Sequence, residues 1–222
     1  AKPTVYICKA QVLLDQDKFT ESILWCDRSI KAALVAKDRD IEMQAIIKKG
    51  FCYYKISKYK ETELTLEAAK IKLETYRKEL GEIKYNNNLR KIFEYRSSIR
   101  YRSGRYDESL RLLDTAIALN DKINSYDANI TNAGYYSFIG RVYNDQGKPD
   151  DALLAFSKAE RIYKNAIDLL QLGSVENDMA YSYFKLGQFR ASIDKAATAM
   201  SRLLKAGDIN NAGYSKSLMG SN

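Results

Sequence analysis

The sequence predicts an all-α fold built from antiparallel helix pairs stacked side by side. Three observations carry this. First, small residues recur at Ala10, Gly50, Ser97, Gly140, Ala180 and Gly220, at intervals of 40, 47, 43, 40 and 40. Second, fixed positions after the first five of these also repeat in kind. Nine residues on lie Phe19, Tyr59, Tyr106, Pro149 and Phe189, and twelve on lie Ser22, Thr62, Ser109, Ala152 and Ser192. Sixteen on lie Cys26, Leu66, Leu113, Phe156 and Ala196, and nineteen on lie Ser29, Ala69, Ala116, Ala159 and Ala199. Third, only two prolines and eleven glycines interrupt 222 residues, so long helices are allowed. Self-similarity at such a period is the signature of a repeat array.

Each part of the repeat has a physical reason. The first helix carries a bulky residue four before the small slot, at Tyr6, Ile46, Phe93 and Tyr136, and another three after it, at Leu13, Tyr53, Tyr143 and Tyr183. Residues spaced by three and four share one helical face. A small residue between them lets the second helix approach closely. A turn is expected next at Asp17, Ser57, Gly104, Gly147 or Gly187, where glycine in particular ends a helix through positive φ. The second helix then turns its small, bulky and alanine slots inward. One such hairpin cannot bury its apolar stripe, and stacking hairpins buries it continuously.

The expected repeats span approximately 3–43, 44–89, 90–132, 133–172 and 173–212, with a partial sixth at 213–222. Together they form a single array over 1–222. The long second repeat fits an extended second helix over Lys60 to Leu80, about 30 Å at 1.5 Å per residue. Asn-Ala-Gly-Tyr recurs at 132–135 and 211–214, so the last segment reads as the opening helix of a sixth repeat. A half-repeat leaves an apolar stripe uncovered, so the natural chain is expected to continue past Asn222.

Composition narrows the chemistry. The sequence has no histidine, which removes the commonest general base and the catalytic triads that depend on it. No phosphate-binding Gly-x4-Gly-Lys-[Ser/Thr] loop occurs. The carboxylate pairs Asp107-Glu108 and Asp150-Asp151 stand where second helices begin, so the helix dipole explains them without catalysis. No cofactor and no metal site is expected. Cys8, Cys26 and Cys52 are odd in number and lack metal spacing, and Cys26 falls in a core slot. Unpaired thiols lean towards a reducing, cytoplasmic setting, with an extracytoplasmic sensor segment as the alternative. No stretch of 18 apolar residues is present, so no membrane insertion is expected within the segment. The net charge of +8 favours acidic partners, although charges in helical arrays mostly form a solvated face. Seventeen tyrosines occupy the repeat's own packing slots for the most part, and Trp25, beside Cys26, reads as a packing anchor.

The repeat resembles that of the tetratricopeptide repeat (TPR) family. The best-matching copy is Tyr136-x2-Ile139-Gly140-x2-Tyr143, then Gly147, then Ala152-x3-Phe156-x2-Ala159. The resemblance covers essentially the whole chain. It departs from the family in repeat length, since the usual unit has 34 residues, and in Pro149, which replaces an aromatic at the turn. Units of about 40 residues are similar to those of kinesin light chains and of bacterial signalling and regulatory proteins. The resemblance implies a right-handed superhelical α-solenoid whose inner groove, lined by first helices, holds proteins or peptides. Its groove slots fall here on Phe51, Tyr54, Lys55, Tyr101, Arg102, Arg141 and Tyr181, a mixed aromatic and basic surface. Tyr and Arg are the types most enriched at binding hot spots. The Lys and Asn clamp of chaperone-binding members is absent, because its slots carry Ile7, Gln11, Ile47 and Phe51.

The expected function is therefore a non-catalytic protein- or peptide-binding part of a larger signalling or transcription-regulatory protein, with an acidic peptide favoured. A structural scaffold without a peptide ligand is the alternative. Nucleic-acid association is the third reading and rests on charge alone. Self-association through the open end at 210–222 competes with the groove as the place of contact.

Overall fold

The computed structural model describes residues 2–220. Residues 221 and 222 of the expected partial sixth repeat lie outside the described residues, as does residue 1. Among the described residues there are ten helices and no strand. Their contacts divide the chain into an N-terminal unit ending at Ile123 and a C-terminal unit beginning at Asn124.

The N-terminal unit contains α1 (Pro3–Asp15), α2 (Phe19–Ala36), α3 (Arg39–Lys55), α4 (Tyr59–Arg102) and α5 (Tyr106–Asp121), and consecutive helices pack on one another. The 44-residue α4 is not one rod. At Gly81 the backbone takes φ 72°, ψ 163°, a conformation open in practice only to glycine. The chain reverses there. Arg100 pairs with Glu63, Arg96 Nη1 lies 2.8 Å from Glu67, and the Tyr85 hydroxyl reaches Glu74. These partners converge in sequence on Gly81, which is the pattern of an antiparallel hairpin. We therefore treat α4 as an N-terminal arm, 59–80, and a C-terminal arm, 82–102. The first is the second helix of one repeat. The second opens the next repeat and packs on α5.

The C-terminal unit contains α6 (Tyr126–Asp145), α7 (Pro149–Ala166), α8 (Leu169–Lys185), α9 (Phe189–Lys205) and α10 (Ile209–Gly220), again packed consecutively. Across the two units α1, α3, the C-terminal arm of α4, α6, α8 and α10 are first helices.

The turn slots behave as their register demands. Asp17, Ser57, Gly104, Gly147 and Gly187 all have positive φ, between 57° and 72°. Asp17 and Ser57 reach the left-handed region without glycine, which short polar side chains tolerate better than most. Several first helices are entered through a capping side chain. Asp38, Asp168 and Asp208 accept from the amides of Ile41, Gln171 and Asn211 at 3.0–3.1 Å, and Ser125 accepts from Ala128. Each satisfies one of the amides a helix start leaves unpaired.

The small slots meet the second helix as the spacing requires. A Cβ added to Gly140 would lie 2.4 Å from the Phe156 ring, and one added to Gly50 would lie 3.0 Å from Leu66. Where the small slot is Ala, the facing slot shrinks, as at Ala180 with Ala196 and Ala10 with Cys26, all fully buried. The serines twelve residues on add a polar fastening. Ser22, Ser109 and Ser192 donate to the carbonyls of Ala10, Ser97 and Ala180 at 2.8–3.0 Å. These bonds consume carbonyl lone pairs that close packing would otherwise strand.

Candidate peptide-binding face

Within each unit, first helices of successive repeats run parallel, and a simple rule governs which side chains meet. The residue one after a small slot touches the residue two before the next small slot. Lys48 on α3 donates to Gln11 on α1. Phe51 on α3 stacks on Tyr95 of the C-terminal arm of α4, with ring centroids 4.6 Å apart. Arg141 on α6 pairs with Asp178 on α8 at 3.1 Å. Tyr181 on α8 packs against the cluster that holds Leu218 of α10.

In the N-terminal unit four of the expected groove residues, Phe51, Tyr54, Lys55 and Arg102, gather with Tyr95. Phe51 lies at the centre, stacked on Tyr95 and 6.1 Å from the Tyr54 ring. Arg102 lies over the Tyr54 ring, and its Nε donates to the Tyr54 hydroxyl at 2.7 Å. That leaves other guanidinium N–H groups of this exposed arginine for a ligand. Lys55 is exposed, its ammonium 5.3 Å from the Phe19 ring centroid and 6.0 Å from that of Phe51. Tyr101 has a different neighbour, the turn residue Tyr106 at 5.9 Å. Tyr54 with Tyr59 and Phe184 with Phe189 repeat that contact at 6.0 Å, so this aromatic pair braces three of the five turns.

In the C-terminal unit Arg141 is exposed but already engages Asp178. Burial pushes the Asp178 carboxyl above its ordinary range, and Arg141 opposes that shift. Tyr181 is half-buried, with Lys185 at 5.1 Å from its ring. Polar bonds knit the same helices. Asn144 donates to Ser182 at 2.9 Å, and Ser215 donates to Asn177 at 2.6 Å.

The periodicity of a single repeat does not reveal Lys48, Tyr95 or Asp178 as members of these faces. Their shared position, two before the small slot, is the signal that finds them. Cys8 is exposed, whereas Cys26 and Cys52 are both fully buried. Trp25 is half-buried between Lys9 and Arg28, each 4.3 Å from its ring, and leans on Tyr6. A cavity of about 320 Å³ between the C-terminal arm of α4 and α5 is lined by Arg96, Arg100, Glu108, Arg111, Leu112 and Thr115. Glu63, Glu67 and Glu108 already pair with Arg96 and Arg100 there. Among the described residues no helix is long and apolar enough to cross a membrane.

No family model and no curated protein matches the sequence. Solved structures do match its fold. One is a signal-transduction ATPase with numerous domains and a tetratricopeptide repeat sensor, from Pyrococcus horikoshii. The TM-score is 0.83 at 13% identity over 98% of this chain and 32% of that one. Aspartyl phosphate phosphatase F from Bacillus subtilis gives 0.79 at 16% identity, over 96% of this chain and 53% of its own. A Podospora anserina putative kinesin light chain with nearly identical TPR-like repeats gives 0.65 at 11% identity, over 92% and 95%. The chain thus spans about a third and about half of the first two proteins. Paired helices, small-slot packing and these likenesses together establish that the chain has the tetratricopeptide-repeat fold.

Proposed function

We propose that the chain is a non-catalytic peptide-binding module, the sensing or partner-recruiting part of a larger regulatory protein. The face of the N-terminal unit carries this reading. Phe51, Tyr54 and Tyr95 offer half-exposed aromatic area that is already ordered by mutual stacking, so little side-chain entropy is lost on binding. Arg102 and Lys55 flank it with cations, which favours a peptide carrying acidic groups. In the C-terminal unit Arg141 and Tyr181 hold the register position of Phe51, one after the small slot. The first two similar structures are larger proteins whose names speak of signal transduction and phosphatase activity, and by analogy the chain would serve as one part of such a protein. No catalytic turnover is expected from its own residues.

The test starts from peptides enriched out of a random pool on the intact chain. Calorimetry then compares the parent with Arg102→Glu, with Arg102→Glu/Arg141→Glu and with a chain lacking 210–222. Affinity should fall at least about tenfold on Arg102→Glu, with helicity and oligomeric state unchanged. Arg141→Glu also leaves Asp178 facing a second carboxylate, so its own effect on stability is measured alongside. Binding that survives the double reversal but disappears on deleting 210–222 would move the contact to α10 and end the groove reading.

A further inference from the structure

In interior repeats the residues five before and two after the small slot face the repeat before. Ile92 is buried among Ile47, Leu66, Ala69 and Leu73, and Val175 among Ala133, Phe156 and Ala159. Cys52 donates to Ser22 of the preceding second helix at 3.3 Å. Ala45, Ile99 and Ser182 hold the same two slots and are buried as well. In the first repeat these slots carry Val5 and Val12, which are 58% and 54% exposed. The exposed Cys8 lies one turn from each, so 5, 8 and 12 form one stripe along α1. Trp25 of α2 adjoins that stripe through Lys9. Lys9 and Arg28 each lie 4.3 Å from its ring centroid. Its slot, fifteen after the small residue, is the one from which Lys195 reaches back to Glu160 of the preceding repeat.

The ion pairs that tie a repeat to the second helix before it have one sense. Lys49 meets Asp27 at 2.7 Å, Arg96 meets Glu67 at 2.8 Å, Arg100 meets Glu63, and Lys195 meets Glu160 at 2.5 Å. In each the base stands on the later repeat and the acid on the earlier one. Lys9 holds the slot of Lys49 and Arg96, one before the small residue. Among the described residues neither Lys9 nor Arg28 meets an acid, and both rest on Trp25 instead. The α1–α2 face therefore has the apolar stripe and the bases of an interior junction, without the acids that complete one.

A second copy of the chain does not supply those acids. A two-fold pair would set Lys9 and Arg28 against their own equivalents. A head-to-tail contact would use the forward side of α9, where Ile193, Ala197 and Met200 stand in the slots of Glu63, Glu67 and Glu160. We infer that the α1–α2 face docks an acidic amphipathic helix of a different protein. Apolar residues of that helix pack on Val5, Val12 and Trp25, and its carboxylates meet Lys9 and Arg28. This surface lies apart from the Phe51–Tyr95 stack and does not depend on the peptide-binding reading.

Helical hairpins with one randomised face, enriched on the intact chain, supply the probe. Those retained should carry Asp or Glu beside an apolar stripe. Their affinity, read by fluorescence anisotropy, should fall at least about tenfold on Lys9→Glu/Arg28→Glu and on Val12→Asp, and should not change on Phe51→Ala. Cys8 reports the same contact without any substitution, because it is exposed while Cys26 and Cys52 are buried. Its alkylation by a maleimide should slow in proportion to the fraction bound, and a bulky maleimide attached beforehand should block binding. That arm decides the matter if a substituted chain fails to fold. Hairpins that leave Cys8 fully reactive and ignore the charge reversal would overturn the proposal, as would a pool from which none is retained. Binding lost on Phe51→Ala but not on the reversal would belong to the other face and overturn it too. A parent chain that sediments alone as a dimer, and that Val12→Asp splits, would make a second copy the occupant and rule out the acidic partner.

Discussion

Replacing Gly140 by leucine probes the small slot at its tightest point. The Cβ alone would stand 2.4 Å from Phe156 Cε1 and 2.6 Å from Cδ1 and Cζ. Ring carbons that close cannot remain, and Phe156 is fully buried with no solvent to move into. Overpacking of this kind costs about 1–3 kcal/mol. Against it stands the better helix propensity of leucine, about 0.8–1 kcal/mol over glycine. The overpacking of a whole leucine lies at the upper end of its range, so a net loss of about 1–2 kcal/mol is expected, about 2–8 °C in melting temperature for a chain of this size. Urea unfolding followed by far-ultraviolet circular dichroism measures it. Arg161→Leu, on the exposed side of α7, is the control and should stay within about 0.5 kcal/mol. A rescue makes the logic sharper. Gly140→Ala should be destabilising alone, and that cost should shrink in a Phe156→Ala background, where the ring that opposes the added methyl is gone. Equal stability of Gly140→Leu and the parent, or no coupling between positions 140 and 156, would refute the register on which every slot depends.

Two further substitutions test separate features. Gly81→Ala adds a Cβ that meets nothing within 4 Å, so it isolates backbone strain at φ 72°, ψ 163°. It should destabilise by about 1–3 kcal/mol in denaturant unfolding, whereas a straight 44-residue α4 would be stabilised by it. Glu176 is buried, its Oε2 lacks a hydrogen-bond partner, and burial raises its carboxyl above the ordinary 4.5 despite Arg202 at 3.2 Å and Lys195. A raised folded value means the folded state binds the proton more tightly. That contribution is present below pH 4.5 and is lost as pH rises through the folded value. The stability of the parent relative to Glu176→Gln should therefore decline as pH increases from 4.5, and a difference that is flat or moves the other way would contradict the assignment.

Much of this architecture is legible in the sequence because each repeat solves the same packing problem within itself. The small slot, the turn and the partner sixteen residues on are fixed by helix geometry over short distances. Gly140 and Phe156 can be paired on paper for that reason. The extended helix is legible as far as Leu80, but the reversal at Gly81 into the next first helix is harder to see. It lies inside the repeat drawn as 44–89, among Glu79, Leu80 and Glu82, which are good helix formers, with no proline or polar turn cluster beside it. One glycine in the right conformation does the work, and a lone glycine within a helical pattern reads equally well as a tolerated interruption. The faces between repeats are hidden for another reason. Phe51 and Tyr95 meet because parallel first helices are offset by about one turn, and that offset is a product of packing rather than of periodicity. For the same reason Arg141 reads in sequence as a free cation, while in the fold Asp178, far along the chain, already meets it.

The central claim is that peptides are held on the first-helix face of the N-terminal unit. Backbone and methyl chemical shifts of the labelled chain, recorded while an enriched peptide is titrated in, test it most directly. The account predicts the largest changes at 48–55 on α3 and at 91–102 on the C-terminal arm of α4, saturating together with the calorimetric isotherm. Changes confined to the second helices α2 and α5, or to α10, with Phe51, Tyr54 and Tyr95 unmoved at saturation, would contradict it.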